Sequence, residues 1–236
     1  MTIGLLLIST HKYKQFVQPL LNDVKKHFLH NHKIEVHLFT DDIDVEADGD
    51  ARVSVIKDLI TSWRFPEITL YRYKIFTSKK YPNCDYLFYL DVDMSIVDTV
   101  GDEILEELVC VRHPGFYSFE TGAWCDNKES NAYTIPIDRF GYFAGGFQGG
   151  EAERYYRIMQ RLNRDIDDDE KRNVMAEWQD ESHWNRLLSE YDERRVKILN
   201  PSYCMVEQQE LREQWGIDHL SPKIIALAKD HKAIRE

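Results

Sequence analysis

The stretch Tyr86-Leu87-Phe88-Tyr89-Leu90-Asp91-Val92-Asp93 passes without a break from apolar and aromatic residues to a pair of carboxylates. A short run of this kind, stopped by charge, reads as a strand buried on both faces. The same kind of segment recurs upstream. Ile3 to Ser9 is a buried strand, Ile34 to Phe39 a second one ending in Thr40-Asp41-Asp42, and Val53 to Ile56 a short third. Between the first two, Phe16, Leu20, Val24 and Phe28 have helical spacing over Tyr13 to Phe28. Leu70, Tyr73, Ile75 and Phe76 mark a helix that opens after Pro66 and gives way near Pro82. This β-α-β-β-α-β order predicts an α/β fold with a mostly parallel central sheet flanked by helices, whose ligands bind beyond the carboxyl ends of the strands. Asp91 and Asp93 stand at that place.

The second half is less regular. It has a strand at Leu108 to Val111, a glycine-rich turn at Gly145 to Gly150, a helix from Ala152 to Leu162, another around Glu181 to Leu188, and a strand at Ile224 to Leu227. No repeat, low-complexity segment or Pro/Ser-rich linker marks a boundary, so residues 1–236 are expected to form one domain.

Composition narrows the function classes. The 236 residues carry 30 Lys+Arg against 41 Asp+Glu, a formal charge of −11, which argues against nucleic acid as a partner because phosphate contacts need a basic footprint. A hydrophobic fraction of 43% is enough to bury a core. No segment approaches the ~18 consecutive apolar residues of a membrane span, and the N-terminus lacks a basic region and a cleavage site. A cytoplasmic, soluble protein is expected. Cys84, Cys110, Cys125 and Cys204 form no Cys-x-x-Cys pair and read as buried reduced thiols.

Three constellations can carry chemistry. In an extended chain residues i and i+2 point to the same side, so Asp91 and Asp93 can bear on one ion. Hard cations such as Mn²⁺ or Mg²⁺ take oxygen ligands and keep positions open for substrate phosphates. The plain alternative is a charged rim that merely ends a strand. Lys229-Asp230-His231-Lys232-Ala233-Ile234-Arg235 places positive charge at the extreme C-terminus, either as a solvated tail or as a phosphate clasp. Trp178-Gln179-Asp180-Glu181-Ser182 sets an acidic pair beside an aromatic ring near a helix N-terminus. Those carboxylates either complement the helix dipole or face an electrophilic sugar carbon. Dinucleotide, P-loop and serine-hydrolase signatures are absent.

Taken in order, these segments resemble glycosyltransferase family six, the retaining α-1,3-galactosyl- and N-acetylgalactosaminyltransferases that include the histo-blood-group A and B enzymes. The resemblance runs from about Ile3 to Arg235. Its pieces are Lys12-Tyr13, Phe39-Thr40-Asp41, Trp63 with Arg72, Asp91-Val92-Asp93-Met94, His113-Pro114-Gly115-Phe116-Tyr117, Ala132-Tyr133 and the Gly145 to Gly150 turn. Trp178 with Asp180-Glu181-Ser182, Pro201 with Tyr203, and Lys229 through Arg235 complete it.

The resemblance implies a GT-A-type nucleotide-sugar-binding fold. Residues 1–93 would be its UDP-binding half, 94–228 its acceptor and catalytic half, and 229–236 a mobile basic segment. It implies that Ser9, Thr10, Tyr13, Trp63, Arg72 and Val92 surround the UDP-sugar, with Tyr13 on the uracil, and that Asp91 and Asp93 hold Mn²⁺ or Mg²⁺ against the diphosphate. Ala144, Gly145 and Gly146 would border the sugar, and Lys229 and Arg235 would close over the phosphates. Asp180 would bond donor hydroxyls and Glu181 would face the anomeric carbon. His113, Trp178, Gln179 and Glu181 would meet the acceptor.

The implied reaction moves N-acetylgalactosamine or galactose from UDP to the 3-hydroxyl of a β-galactoside, fucosylated or plain. Bacterial relatives usually carry Asn-x-Asn where this chain keeps two aspartates, so metal dependence is expected. Gln179 replaces the usual histidine, residues 119–131 lack the Tyr-Glu-Arg-Arg run, and Glu207 follows an extra residue. Animal members carry an N-terminal anchor and stem, whereas this sequence opens at the first strand, which fits a soluble bacterial or viral relative. Two other readings stay open on the residues alone. One is a metal-dependent UDP-sugar hydrolase or nucleotidyltransferase using the same aspartates. The other is a carbohydrate-binding module in which Trp63, Trp124 and Trp178 stack on sugar rings.

Overall fold

The computed structural model describes residues 1–119, 121–135, 139, 141–230 and 233–234. Strand β1 (Thr2–Ser9) leads through a 3-10 turn, His11–Phe16, into helix α1 (Val17–His27). The sequence reads as one helix over Tyr13 to Phe28. It divides because Pro19 has no N–H to offer the carbonyl four residues back, so α geometry cannot extend far before it. Strands β2 (Lys33–Thr40) and β3 (Val53–Leu59) follow, then helices α2 (Glu67–Leu70) and α3 (Arg72–Thr77), then β4 (Tyr86–Leu90). The expected single helix after Pro66 breaks at Tyr71, whose φ −87°, ψ 6° lie off the helical values. The Tyr71 ring packs edge-on against Trp63 with centroids 5.4 Å apart, and its hydroxyl donates to Glu170 at 2.5 Å. That break turns Arg72 inward, where it is 5% exposed.

Beyond β4 come β5 (Met94–Ile96), β6 (Leu108–Val111), β7 (Phe147–Glu151), α4 (Ala152–Lys171), α5 (Gln179–Leu188), β8 (Lys197–Leu199), β9 (Met205–Val206), α6 (Gln209–Gln214) and β10 (Ile224–Ala226). The central sheet has seven strands in the order β3-β2-β1-β4-β7-β6-β8. All its pairings are parallel except those of β7, which runs antiparallel to both β4 and β6. Strands β5, β10 and β9 form a second, smaller sheet.

The segment read as a glycine-rich turn is in fact partly strand. Gly149 and Gly150 belong to β7, and a Cβ at Gly149 would lie 2.4 Å from the Leu87 carbonyl oxygen. Glycine is required there for close backbone approach. Helix α4 runs beyond the expected Leu162 because its apolar spacing continues through buried Ile166 to buried Asp169.

Alternation along the strands loads both faces of the sheet. Leu5, Phe88 and Phe147 join Leu20, Val24 and Phe28 on one side. Leu6 and Tyr89 join Tyr73, Phe76, Tyr155 and Trp184 on the other. Each such side chain, fully buried, contributes about 1.5–3 kcal/mol relative to exposure. The four cysteines are free, three buried and Cys84 half-buried. No described helix is long and apolar enough to cross a membrane.

Candidate active site

The parallel strands β1 to β4 all end on one edge of the sheet, and the residues that follow them line a cavity there. Thr10 and Tyr13 come after β1, Trp63 to Phe65 after β3, and Asp91, Val92 and Asp93 after β4. Ile68, Thr69 and Arg72 close it from the helical side, and Lys229 and Ile234 from the C-terminal segment. A second cavity adjoins it, lined by Gly145, Gly146, Trp178, Gln179, Asp180 and Glu181. Thr69, Arg72 and Asp91 line both.

Arg72 is the hub of this junction. Its Nη1 donates to the Gly145 carbonyl at 2.9 Å, its Nε lies 3.0 Å from Asp180 Oδ2, and its Nη2 lies 3.6 Å from Asp91 Oδ1. The guanidinium also sits over the Tyr89 ring, 4.3 Å from the centroid, and the Tyr89 hydroxyl donates to Asp91. Burial pushes the Asp180 carboxyl up to about 7, against the downward pull of Arg72, with Glu181 and Asp91 adding to the rise. Burial likewise holds the Tyr89 phenol well above its ordinary range, so it is a hydroxyl donor to Asp91 at neutral pH.

Glu181 lies one residue further along α5. Its Oε2 accepts the Gly145 N–H at 2.8 Å, which ties the acidic pair to the glycine segment. Asn185, a turn later, donates to both the Phe143 and Glu181 carbonyls and accepts the Phe143 N–H, all within 2.9 Å. This clamp fixes α5 against the chain entering β7. Gln179, at the start of α5, holds φ 44°, a left-handed conformation that a non-glycine residue adopts only where the surroundings enforce it.

Asp93 is paired with the Lys229 ammonium, which also lies 5.4 Å from the centroid of the Tyr13 ring. The C-terminal segment reaches this position from β10. The Leu227 N–H donates to the Asp93 carbonyl at 3.1 Å, the Ala228 N–H to Glu207 at 2.6 Å, and Lys12 Nζ to the Ala233 carbonyl at 2.8 Å. Glu207 therefore serves as an anchor for the C-terminal segment. Asp91 and Asp93 offer only carboxylate oxygens, the donor type a hard divalent cation takes, and Asp93 already faces a positive charge. The residues present thus fit such an ion.

The structure gathers most of the residues singled out in the sequence. Thr10, Tyr13, Trp63, Arg72, Asp91, Val92, Asp93 and Lys229 share the first cavity, while Gly145, Gly146, Trp178, Gln179, Asp180 and Glu181 share the second. Trp178 stays 54% exposed at its mouth. Ser9 and Ala144 are buried and line neither cavity, with Ala144 in the core beside Phe147. His113 lies outside both as well, packed against Phe116 and Tyr142 at 5.0 and 5.8 Å. Burial lowers the His113 imidazole below its ordinary range, while Glu181 pulls it the other way. Arg235, His231 and Lys232 fall outside the described residues. Sequence reasoning passed over Tyr89 and Thr69. Tyr89 carried a usable signal, since it lies two residues before Asp91 in the same strand.

The family model described as Glycosyltransferase family 6 matches residues 1–236. Two rat proteins, Histo-blood group ABO system transferase 2 and 1, are each 32% identical over 244 residues, covering 99% of this chain and 71% and 68% of their own lengths. A Gallus gallus protein, Globoside alpha-1,3-N-acetylgalactosaminyltransferase 1, is 29% identical over 215 residues, covering 86% of this chain and 61% of its own.

Proposed function

The chain belongs to glycosyltransferase family 6, and from that premise we propose that it is a metal-dependent, retaining transferase. It moves N-acetylgalactosamine, or galactose, from UDP to the 3-hydroxyl of a β-galactoside. The observation that carries this reading is the Arg72 hub, which joins the aspartate at the end of β4 to the acidic pair of α5 where the two cavities meet. A nucleoside diphosphate in the first cavity and its sugar in the second would place the bond to be broken at that junction.

Breaking the bond between the anomeric carbon and the diphosphate oxygen leaves negative charge on UDP. Asp91 and Asp93 would hold a divalent cation, which supplies charge neutralisation at the departing diphosphate. Lys229 adds a second positive charge from the C-terminal side, and Arg72, already committed to two carboxylates, orients them more than it neutralises phosphate. Retention of configuration follows from front-side attack or from two successive inversions. Either route is helped by a carboxylate beside the anomeric carbon, and Glu181 supplies it.

The donor preference proposed is N-acetylgalactosamine, because Ala144 and Gly146, which the resemblance sets beside the sugar's 2-substituent, are both small, and Gly145 and Gly146 line the second cavity. The selectivity test belongs at Gly145. A Cβ at Gly146 would lie 2.4 Å from Met94 Cε and 2.9 Å from Asp91 Oδ2, so Gly146→Ala would disturb Asp91 itself. At Gly145 the same methyl would meet Glu181 at 3.4 Å and Asp180 at 3.6 Å, ordinary contacts.

The deciding experiment is a screen of UDP-sugars against β-galactosides with Mn²⁺ present or chelated, reading UDP and glycan product by mass spectrometry. Product that needs both acceptor and metal supports the reading. UDP-sugar consumption without glycan product would favour a hydrolase.

A further inference from the structure

Away from the strand ends that form the donor cavity, the sheet carries a second group of metal-ligating side chains. Glu35 and His37 lie two residues apart on β2 and so share a face, and Cys84 sits just before β4. One ligand atom from each lies within 4.8 Å of the others, the only such group of three or more His, Cys, Asp or Glu among the described residues. Strand β1 runs between β2 and β4, with Gly4 opposite Glu35 on one side and Leu87 on the other. A Cβ at Gly4 would lie 2.9 Å from the Cys84 sulfur, so the missing side chain lets the thiol lie over β1 and reach toward β2.

The histidine supplies an independent sign. His37 is 2% exposed, and neither ring nitrogen makes a well-formed hydrogen bond within the described protein. Its Nε2 lies 2.9 Å from Glu35 Oε1 but out of line for one. The Tyr81 ring packs edge-on against it at 4.7 Å, while the Tyr81 hydroxyl is committed to the Phe76 carbonyl. Lys79, the nearby cation, is held by Asp58 at 2.7 Å. A buried imidazole without hydrogen bonds is costly, and a metal ion is a partner that would satisfy it together with the carboxylate and the sulfur.

We propose that Glu35, His37 and Cys84 bind one Zn²⁺ ion that fastens β2 to the chain entering β4 across β1. Thiolate, imidazole and carboxylate are the donor set of tetrahedral zinc, and three protein ligands leave the fourth position to water. Binding displaces the Cys84 thiol proton to solvent. The role is structural, since Glu35 and His37 lie within β2 and Cys84 just before β4, whereas the donor cavity lies beyond the carboxyl ends of the strands.

The test uses the full-length protein stripped with a chelator, dialysed, and loaded with Zn²⁺ or Co²⁺ alone. Co²⁺ should give the thiolate-to-cobalt charge-transfer absorption, lost in Cys84→Ser. Zn²⁺ should raise the melting temperature of the unmodified protein. Zn²⁺ affinity should fall by at least the roughly 10–100-fold that loss of a mere supporting partner costs in both Cys84→Ser and Glu35→Gln, and should persist in the Asp91→Asn/Asp93→Asn double variant. Absence of the charge-transfer band in the unmodified protein would overturn the proposal, whether or not the variants fold. So would equal Zn²⁺ affinity in Cys84→Ser, or loss of tight Zn²⁺ binding in the double variant.

Discussion

Asp169 on α4 and Asp180 on α5 are almost equally buried, 2% and 4% exposed, yet their surroundings are opposite. The Asp169 carboxylate accepts from Ser130 Oγ at 2.5 Å, the Asn131 N–H at 2.8 Å and Arg172 Nη2 at 2.5 Å. The Asn127 to Thr134 segment is thereby fastened to α4. Asp180 faces Arg72 at 3.0 Å, but its Oδ2 makes no well-formed hydrogen bond within the described protein. A buried carboxylate whose lone pairs are all engaged is a fastener. One left short of donors at the wall of a cavity is suited to hydroxyl groups that arrive with a ligand.

Four measurements would break or sharpen that contrast. The largest effect is expected among the carboxylates that face the cavities. Glu181→Gln and Asp93→Asn should each lower turnover by roughly a thousand-fold or more, the scale of lost electrostatic stabilisation. Their unfolding midpoints should stay close to normal, and Glu181→Gln should still bind UDP-sugar by calorimetry. Near-normal turnover in Glu181→Gln would return that residue to a helix-terminus role.

The second measurement sets the two aspartates against each other. Asp180→Asn should lower kcat/KM by about a hundred-fold with a small change in denaturation midpoint. Asp169→Asn should cost roughly 1–3 kcal/mol of stability, the scale of leaving buried donors such as Ser130 Oγ and the Asn131 N–H short of a charged acceptor, while kcat in the folded fraction changes far less. The reverse ranking would defeat the comparison.

Donor selectivity comes next. Gly145→Ala should reduce preference for UDP-N-acetylgalactosamine over UDP-galactose, within the roughly 10–200-fold that one small pocket difference commands. Competition between the two donors, read by product mass, checks it. A strong preference of the unmodified enzyme for UDP-galactose would end the small-residue argument and leave the transferase reading standing.

The smallest effect is a pH dependence on the fastened side. Burial pushes His183 down to about 4, against the pull of Asp169. The fold therefore holds the neutral imidazole, and between about pH 6.5, the ordinary value, and pH 4 the unfolded chain binds the extra proton. This group's contribution is complete above the unfolded value and is lost as pH falls toward the folded one. His183→Gln should flatten that acid limb by an amount on the order of 1–3 kcal/mol, seen in urea midpoints across the window. An unchanged limb would show that the acid sensitivity resides elsewhere.

The strands and helices that build the N-terminal part of the sheet were legible in the sequence because apolar periodicity there is strong. β4 coincides with Tyr86 to Leu90, and the aspartates fall where the parallel order requires. β7 was not legible. Gly149 and Gly150 have poor strand propensity, and what makes them strand residues is the backbone of Leu87 on one side and of Glu107 on the other, which no local pattern reveals. The residues alone left the acidic pair open between a helix-terminus role and a chemical one, and the resemblance favoured the chemical one. In the structure both carboxylates stand in the first turn of α5, where they complement the helix dipole, and they also reach beyond the helix, Asp180 to Arg72 and Glu181 to the Gly145 N–H. The loss of α helix at Tyr71, which turns Arg72 inward, depends on partners as distant as Glu170 and had no local signal.

The antiparallel strand of the central sheet, β7, has a bearing on how the protein is made. β4 is complete at residue 90, but the strand that covers its open edge begins at Phe147, and the lysine that meets Asp93 lies at 229. During synthesis this apolar and aromatic strand stands with one edge unpaired until more than fifty further residues have followed. An unpaired edge of that composition is open to pairing with another chain. The geometry that brings the candidate site together from distant segments therefore also makes the half-made protein vulnerable, and chaperone dependence and aggregation on overproduction should trace to residues 86–90.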